Sequence, residues 1–170
     1  MKETKLTLFV TVLAVALFGV GCASTPKGPP IPSAVKWNGH WYAFLPDQLS
    51  WDAAKSRCEK LGGHLVVIDS EEENKFVLNH WKKNIRSGQG TAWIGATDKS
   101  QEGTFKWISP NNKRLSDTYS NWDQGVFGKP SAEFEYDWAI IILRHGFTAR
   151  DGRWSLGHQK ESFPFICEWE

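Results

Sequence analysis

The sequence predicts an α+β domain, on three observations. Two helical apolar stripes come first, over about residues 51–61 and 70–85. After Gly88, short apolar runs alternate with long, polar, glycine-rich segments. Helices that precede the strands, instead of alternating with them, indicate α+β architecture and not a parallel α/β sheet. Loops this long in a compact domain are common carriers of function.

The chain opens ahead of that domain. Lys2 and Lys5 flank the start of an apolar run from Leu6 to Val20. The run has the length of a signal peptide and is too short for a comfortable membrane span. It ends in Gly19-Val20-Gly21-Cys22, which resembles the lipobox of bacterial lipoproteins, with Gly19 where a larger aliphatic is usual. The expectation is removal of residues 1–21 and lipid modification, palmitate included, of Cys22. Ordinary cleavage after Ala23 is the alternative, and it gives a secreted protein. Either route exports the chain. Residues 22–34 hold Pro26, Pro29, Pro30 and Pro32 and read as an extended, semi-rigid tether. Ala23 stands where an Asp often retains lipoproteins in the inner membrane, so resemblance to Gram-negative sorting favours the outer membrane.

Three cysteines are an odd number for an exported chain. With Cys22 acylated, Cys58 and Cys167 remain, and an oxidising compartment allows them to pair. Two buried thiols are the alternative. Lys+Arg is 20 and Asp+Glu is 19, a balance that argues against nucleic acid as the partner.

The folded domain is expected over 35–170. Asn38-Gly39 between β-favouring residues is a strong hairpin signal. Ser50 is placed to cap a helix in which Trp51, Ala54, Cys58 and Leu61 share one face, and Gly62-Gly63 ends it. His64 to Ile68 reads as a strand. Ser70 with Glu73 forms a capping box for a second helix, whose buried stripe is Val77, Trp81 and Ile85. Glu71, Glu72 and Glu73 complement the dipole at that helix start better than they form catalytic carboxylates. Residues 92–96, 138–143 and 163–169 read as strands, with Pro164 suited to a strand start or sheet edge.

These pieces resemble a C-type lectin-like domain over about 37–170. The resemblance rests on motifs in family order. They are Trp51-Asp52-Ala53-Ala54, Cys58, Leu61-Gly62-Gly63-His64-Leu65, Ile68-Asp69-Ser70 with Glu72-Glu73-Asn74, and Ala92-Trp93-Ile94-Gly95. Asp98, Glu102-Gly103, Asn121-Trp122, Trp154 and Pro164-Phe165-Ile166-Cys167-Glu168 follow. The resemblance implies that Cys58–Cys167 is the family's outer disulfide and that Trp93-Ile94-Gly95 is the central strand. It also implies that residues from about Ile108 to Trp138 form the family's long loop region.

The same resemblance locates a departure. Sugar-binding members hold calcium in the long loop through several carboxylate and amide oxygens. The matching positions here are Lys129, Ser131, Tyr136, Ser155 and Leu156, which offer no carboxylate and one positive charge. Ca²⁺ takes six to eight oxygen ligands, so this set does not hold it. The family's inner disulfide is also missing: Trp138 replaces one cysteine, and the other falls near His158 or Gln159. Asp98, Glu102 and Asp137 match three ligands of a separate structural calcium site, with a fourth acid absent at Ala132 and Glu133 or Glu135 as substitutes.

Trp51, Trp81, Trp93, Trp107 and Trp138 fall on core-facing patterns. Trp122, Phe127, Lys129, Tyr136 and Trp154 are the candidate ligand-binding residues, at loops over about 119–136 and 147–158. Trp154 doubles as the anchor of a glycine-ringed turn, Gly152 to Gln159, at the core edge. The histidines lack zinc spacing, and no nucleophile-elbow, P-loop or dinucleotide motif is present. The expected function is non-enzymatic recognition of protein or glycan without calcium, on a bacterial envelope and with no resident cofactor. A carbohydrate-binding lectin, calcium-dependent or not, and a structural envelope lipoprotein are the alternatives.

Overall fold

The computed structural model describes residues 28–82, 90–108, 115–124, 136–143 and 150–170. The leader, Cys22 and the tether up to residue 27 lie outside the described residues, as do Ile85, Phe127, Lys129, Ser131, Glu133, Glu135 and His145.

The first strand, β1 (Val35–Trp37), turns at Asn38-Gly39 into β2 (His40–Leu49). Both turn residues have positive φ, 46° and 95°. Asn and Gly tolerate that region, and it matches the twist of a tight hairpin. Helix α1 (Trp51–Lys60) buries Trp51, Ala54 and Cys58 on one side. Gly62, at φ 79°, ends it, and the Gly63 N–H donates to the Cys58 carbonyl at 3.0 Å. Strand β3 (His64–Leu65) leads to α2 (Glu71–Lys82), which buries Glu73, Asn74, Val77 and Trp81. The remaining strands are β4 (Thr91–Thr97), β5 (Lys106–Trp107), β6 (Trp138–Ile142), β7 (Trp154–Gly157) and β8 (Phe163–Trp169).

Among the described residues the strands form one sheet in the order β1-β2-β8-β4-β6-β7, with β3 on β8 and β5 on β4. The C-terminal strand therefore sits inside the sheet, antiparallel to β2 and parallel to β4. Pro164 is its second residue, where a missing N–H costs least. A disulfide joins Cys58 of α1 to Cys167 of β8, 109 residues apart, and both cysteines are fully buried. It fastens the first helix to the last strand.

The core has two parts, one on each side of the sheet. Trp107, Trp154, Val77, Trp81 and Ile141 belong to one, and Trp51, Trp93, Trp138 and the disulfide to the other. The five tryptophans assigned to the core from sequence are all under 6 % exposed. Trp51 donates its indole N–H to the Ile94 carbonyl at 2.9 Å, Trp93 to the Leu49 carbonyl at 2.7 Å, and Trp107 to Thr118 Oγ1 at 3.3 Å. Gly95 is needed for close approach: a Cβ there would lie 2.7 Å from the Leu65 carbonyl oxygen and 2.9 Å from that of Val66.

Several expectations change. The run after Leu65 leaves the ladder, although the Val66 N–H still donates to the Ile166 carbonyl. Ser50 occupies the cap position of α1 without a side-chain capping bond. Glu71 and Glu72 are exposed at the start of α2, as a dipole complement should be, but Glu73 is 5 % exposed and points into the core. Lys106-Trp107 is a strand too short to show a period. The stretch around Trp154 is also a strand and not a turn: Trp138 pairs with Gly157, Ala139 with Leu156, Ile140 with Ser155 and Ile141 with Trp154. A serine and a glycine in four residues conceal the alternation that would have marked it.

Candidate functional site

The site face is built outward from Trp154. Its ring is fully buried, and its Nε1–H donates to Asn74 Oδ1 at 2.8 Å. Asn74 Nδ2 donates in turn to the Gly152 carbonyl at 3.1 Å, an acceptor it shares with Asn121 Nδ2 at 2.8 Å. The backbone joins in: Trp154 N–H to the Asn121 carbonyl and Asp123 N–H to the Trp154 carbonyl, both at 2.8 Å. Edge-on contacts with Trp107, Tyr119 and Trp122 complete the enclosure. Trp154 therefore offers no ring face to a ligand. It holds α2, residues 121–123 and residues 150–154 together.

Trp122 lies one layer further out, half-buried, with its ring edge-on to Phe105 at 5.0 Å. Beside it Arg150 is ion-paired to Asp123, and Arg153 donates to Asn121 Oδ1 at 2.8 Å. Burial raises the Tyr119 hydroxyl above its ordinary range. This face presents half-buried aromatic and guanidinium groups with their carboxylate and amide partners. Tyr136 is separate from it, half-buried against the His158 ring at 5.1 Å. Phe127 and Lys129 lie outside the described residues.

Ser155 and Leu156, two of the five positions compared with calcium ligands, run inside β7, and Ser155 is 6 % exposed. Neither projects from a loop. Asp98, Glu102 and Asp137 behave differently. One oxygen of each, Asp98 Oδ1, Glu102 Oε1 and Asp137 Oδ1, is buried without a hydrogen-bond partner. Burial pushes the Asp98 carboxyl up to about 6, and the charges of Glu102 and Asp137 add to the rise. Its second oxygen accepts the Gly103 N–H at 2.9 Å. Burial raises Asp137 too, against the charge of Lys99. Three hard oxygen donors suit a calcium ion in kind but fall short of its six to eight in number. Among the described residues no group of three or more acidic, histidine or cysteine side chains is arranged to hold an ion. The described residues therefore do not make a calcium site by themselves.

Sequence reasoning missed a polar cluster at the start of α2. Tyr42 donates to Glu73 Oε1 at 2.7 Å, and Glu73 Oε2 accepts the Asp69 N–H at 3.0 Å. Glu168, 3 % exposed, contacts His40 Nδ1 at 2.6 Å and accepts the Val67 N–H at 2.9 Å. Burial drives Glu73 up to about 7, and the nearby Glu168 charge contributes. The hydrogen bond to Glu168 raises His40 above its usual range. Asn74 was also missed as a structural node. Its place three residues before Val77 and seven before Trp81, on the buried stripe of α2, is the signal that could have found it.

The family model for the lectin C-type domain matches residues 47–169. The chain is similar to a perlucin-like protein of Mytilus galloprovincialis, 32 % identical over 149 residues, which covers 81 % of this chain and 92 % of that one. It is also similar to an alpha-N-acetylgalactosamine-specific lectin of Patiria pectinifera, 28 % identical over 173 residues, covering 96 % and 97 % of the two chains. Among solved structures it resembles the mouse scavenger receptor C-type lectin carbohydrate-recognition domain, with a TM-score of 0.66 and 29 % identity, over 82 % of this chain and 94 % of that one. These relatives are eukaryotic.

Proposed function

The chain belongs to the C-type lectin domain family, and from that premise we propose that it is a non-enzymatic module that recognises glycan, or a glycan-bearing protein, without calcium. One observation carries the reading. Ser155 and Leu156 stand where the family's sugar-site ligands follow the tryptophan, and both are tied into β7 as a hydroxyl and an alkyl group. Binding then runs on aromatic and hydrogen-bonding contacts around Trp122, Tyr136, Phe127 and Lys129, over a framework fixed by Trp154. An array of glycans probed with the protein in calcium and in EDTA tests it: the reading expects the same ligands in both, and binding that vanishes on chelation overturns it.

A calcium-dependent lectin is the second reading. The partnerless oxygens of Asp98, Glu102 and Asp137 favour it, and the same array decides between the two. The finer placement is display on a bacterial envelope, outer membrane favoured, through a lipid on Cys22 and the proline-rich tether. The Gly19-Val20-Gly21-Cys22 sequence supports it. Incorporation of a palmitate analogue at Cys22, abolished in Cys22→Ser, is the expected result. An unlabelled protein cleaved after Ala23 would instead mean a secreted form.

A further inference from the structure

The turn from Arg150 to Arg153 closes through the Arg153 N–H on the Arg150 carbonyl at 3.0 Å, with Gly152 at φ 79° inside it. It sends two guanidinium groups to one segment, Arg150 to Asp123 and Arg153 to Asn121. Their situations differ. The Asp123 carboxylate neutralises Arg150, whereas Arg153 meets only an amide oxygen. That amide is itself fixed: Asn121 Nδ2 donates to the Gly152 carbonyl at 2.8 Å, which leaves Oδ1 to accept from Arg153 Nη1 at 2.8 Å. Arg153 is therefore oriented before any ligand arrives, which lowers the ordering cost of binding. A guanidinium carries five N–H donors, and the Asn121 bond uses one. None of its other nitrogens is buried without a partner, so the unused donors face solvent.

The surrounding charges leave Arg153 as the surplus. Lys75 is paired with Glu71 at 2.7 Å, and Lys82 with Asp151 at 2.5 Å. Among the described residues no carboxylate forms an ion pair with Arg153. Tyr119 supplies a second donor. Its ring is edge-on to Trp154, and its hydroxyl is unburied and has no hydrogen-bond partner among the described residues. The Arg153 charge acts on that hydroxyl more strongly than the Glu72 charge does, and Glu71 is already matched by Lys75. Two outward donors with a net positive charge suit an oxygen-rich anion. The planar fork of a guanidinium fits the paired oxygens of a carboxylate or a sulfate in shape as well as charge. A neutral hydroxyl would take one bond and leave the charge unmatched.

We propose that Arg153, held by Asn121 and assisted by Tyr119, is an anion subsite that selects glycans bearing a carboxylate or sulfate group. The inference rests on the glycan-recognition reading above and names the class of glycan. The test uses the full chain in EDTA on an array that pairs neutral glycans with their uronic-acid and sulfated forms, followed by calorimetry on the best pair. The expected result is about tenfold tighter binding of the anionic member, since charge-assisted hydrogen bonds are roughly twice as strong as neutral ones. Whether the uronic acid or the sulfate shows the preference identifies the anion. The preference should shrink as salt rises from about 0.05 to about 0.5 M, because part-exposed charges are screened. Arg153→Gln, which removes the charge and keeps an amide near Asn121, should bring the pair to equal affinity. Tyr119→Phe should cut the preference about threefold, and Glu72→Gln should strengthen anionic binding about twofold, a gain that a folding defect does not produce. If the paired glycans bind equally, if the preference survives in Arg153→Gln, or if Glu72→Gln brings no gain, the subsite is overturned while the recognition reading stands. If no glycan of either kind binds, both fall.

Discussion

Replacing Trp154 by Phe separates a core anchor from a ligand platform. The change keeps an aromatic ring in the pocket and removes one donor. Asn74 Oδ1 then loses its 2.8 Å partner inside a site where Asn74 is 4 % exposed. An orphaned buried acceptor costs about 1–3 kcal/mol. The smaller ring adds a share of the 3–5 kcal/mol typical of complete aromatic truncation, so the sum is about 2–4 kcal/mol. With a urea slope of about 1–3 kcal/mol/M, the midpoint should fall by roughly 1–2 M. The slope itself should not change, because the same surface is exposed on unfolding. Asn74→Ala and the double variant should give less than additive losses, since the two side chains share one bond. Equilibrium urea unfolding followed by circular dichroism reads all three. If Trp154→Phe unfolds within about 0.5 kcal/mol of the parent while glycan affinity collapses, Trp154 meets the ligand and the reasoning is wrong.

Reduction of Cys58–Cys167 frees a loop of 109 residues and should lower stability by about 2–5 kcal/mol, read as a midpoint shift with and without reductant. A shift under about 1 kcal/mol would mean that the unfolded chain is already held together by other contacts. Stability should also fall as pH rises from about 4.5 to about 7. Glu73 has a folded pKa raised to about 7, so the folded state binds the extra proton across that window. The loss amounts to at most about 3 kcal/mol. His40, raised by Glu168, acts in the same sense, with its contribution present below its ordinary value and lost as pH rises through the raised one. Glu73→Gln should flatten the slope between pH 5 and 7, and an unchanged slope would remove Glu73 from the account. In EDTA, Asp98→Asn should stabilise by about 1–2 kcal/mol, by removing one charge from three crowded carboxylates and supplying a donor to their partnerless oxygens. Destabilisation in chelator would contradict that reading.

What the sequence disclosed follows its periods and punctuation. Helix α1, helix α2 and the Asn38-Gly39 hairpin have strong stripes or turn residues and emerged nearly whole. The buried tryptophans followed from the faces they occupy. The count of cysteines allowed the Cys58–Cys167 pairing and the family resemblance implied it; Gly95 lay within the strand the resemblance named, and the carbonyls packed against it explain why a glycine stands there. The site was less legible. Trp154 was legible as an anchor at the core edge, but its stretch read as a turn because Gly152 and Gly157 ring it. Those glycines instead serve backbone geometry and contact: Gly152 has φ 79°, and a Cβ at Gly157 would strike the Trp93 ring. Glu73 read as a dipole complement because a capping glutamate and a buried one occupy the same helical position. Its partner Tyr42 and the neighbouring Glu168 are distant in sequence, and no local pattern signals such a meeting.

The central claim is recognition without calcium. Its most direct test is the dissociation constant for the best array glycan, measured by calorimetry on one preparation in EDTA and again in millimolar calcium. The account predicts equal affinity within about twofold, a difference below 0.5 kcal/mol. Affinity that appears only with calcium, or strengthens tenfold or more, would contradict it.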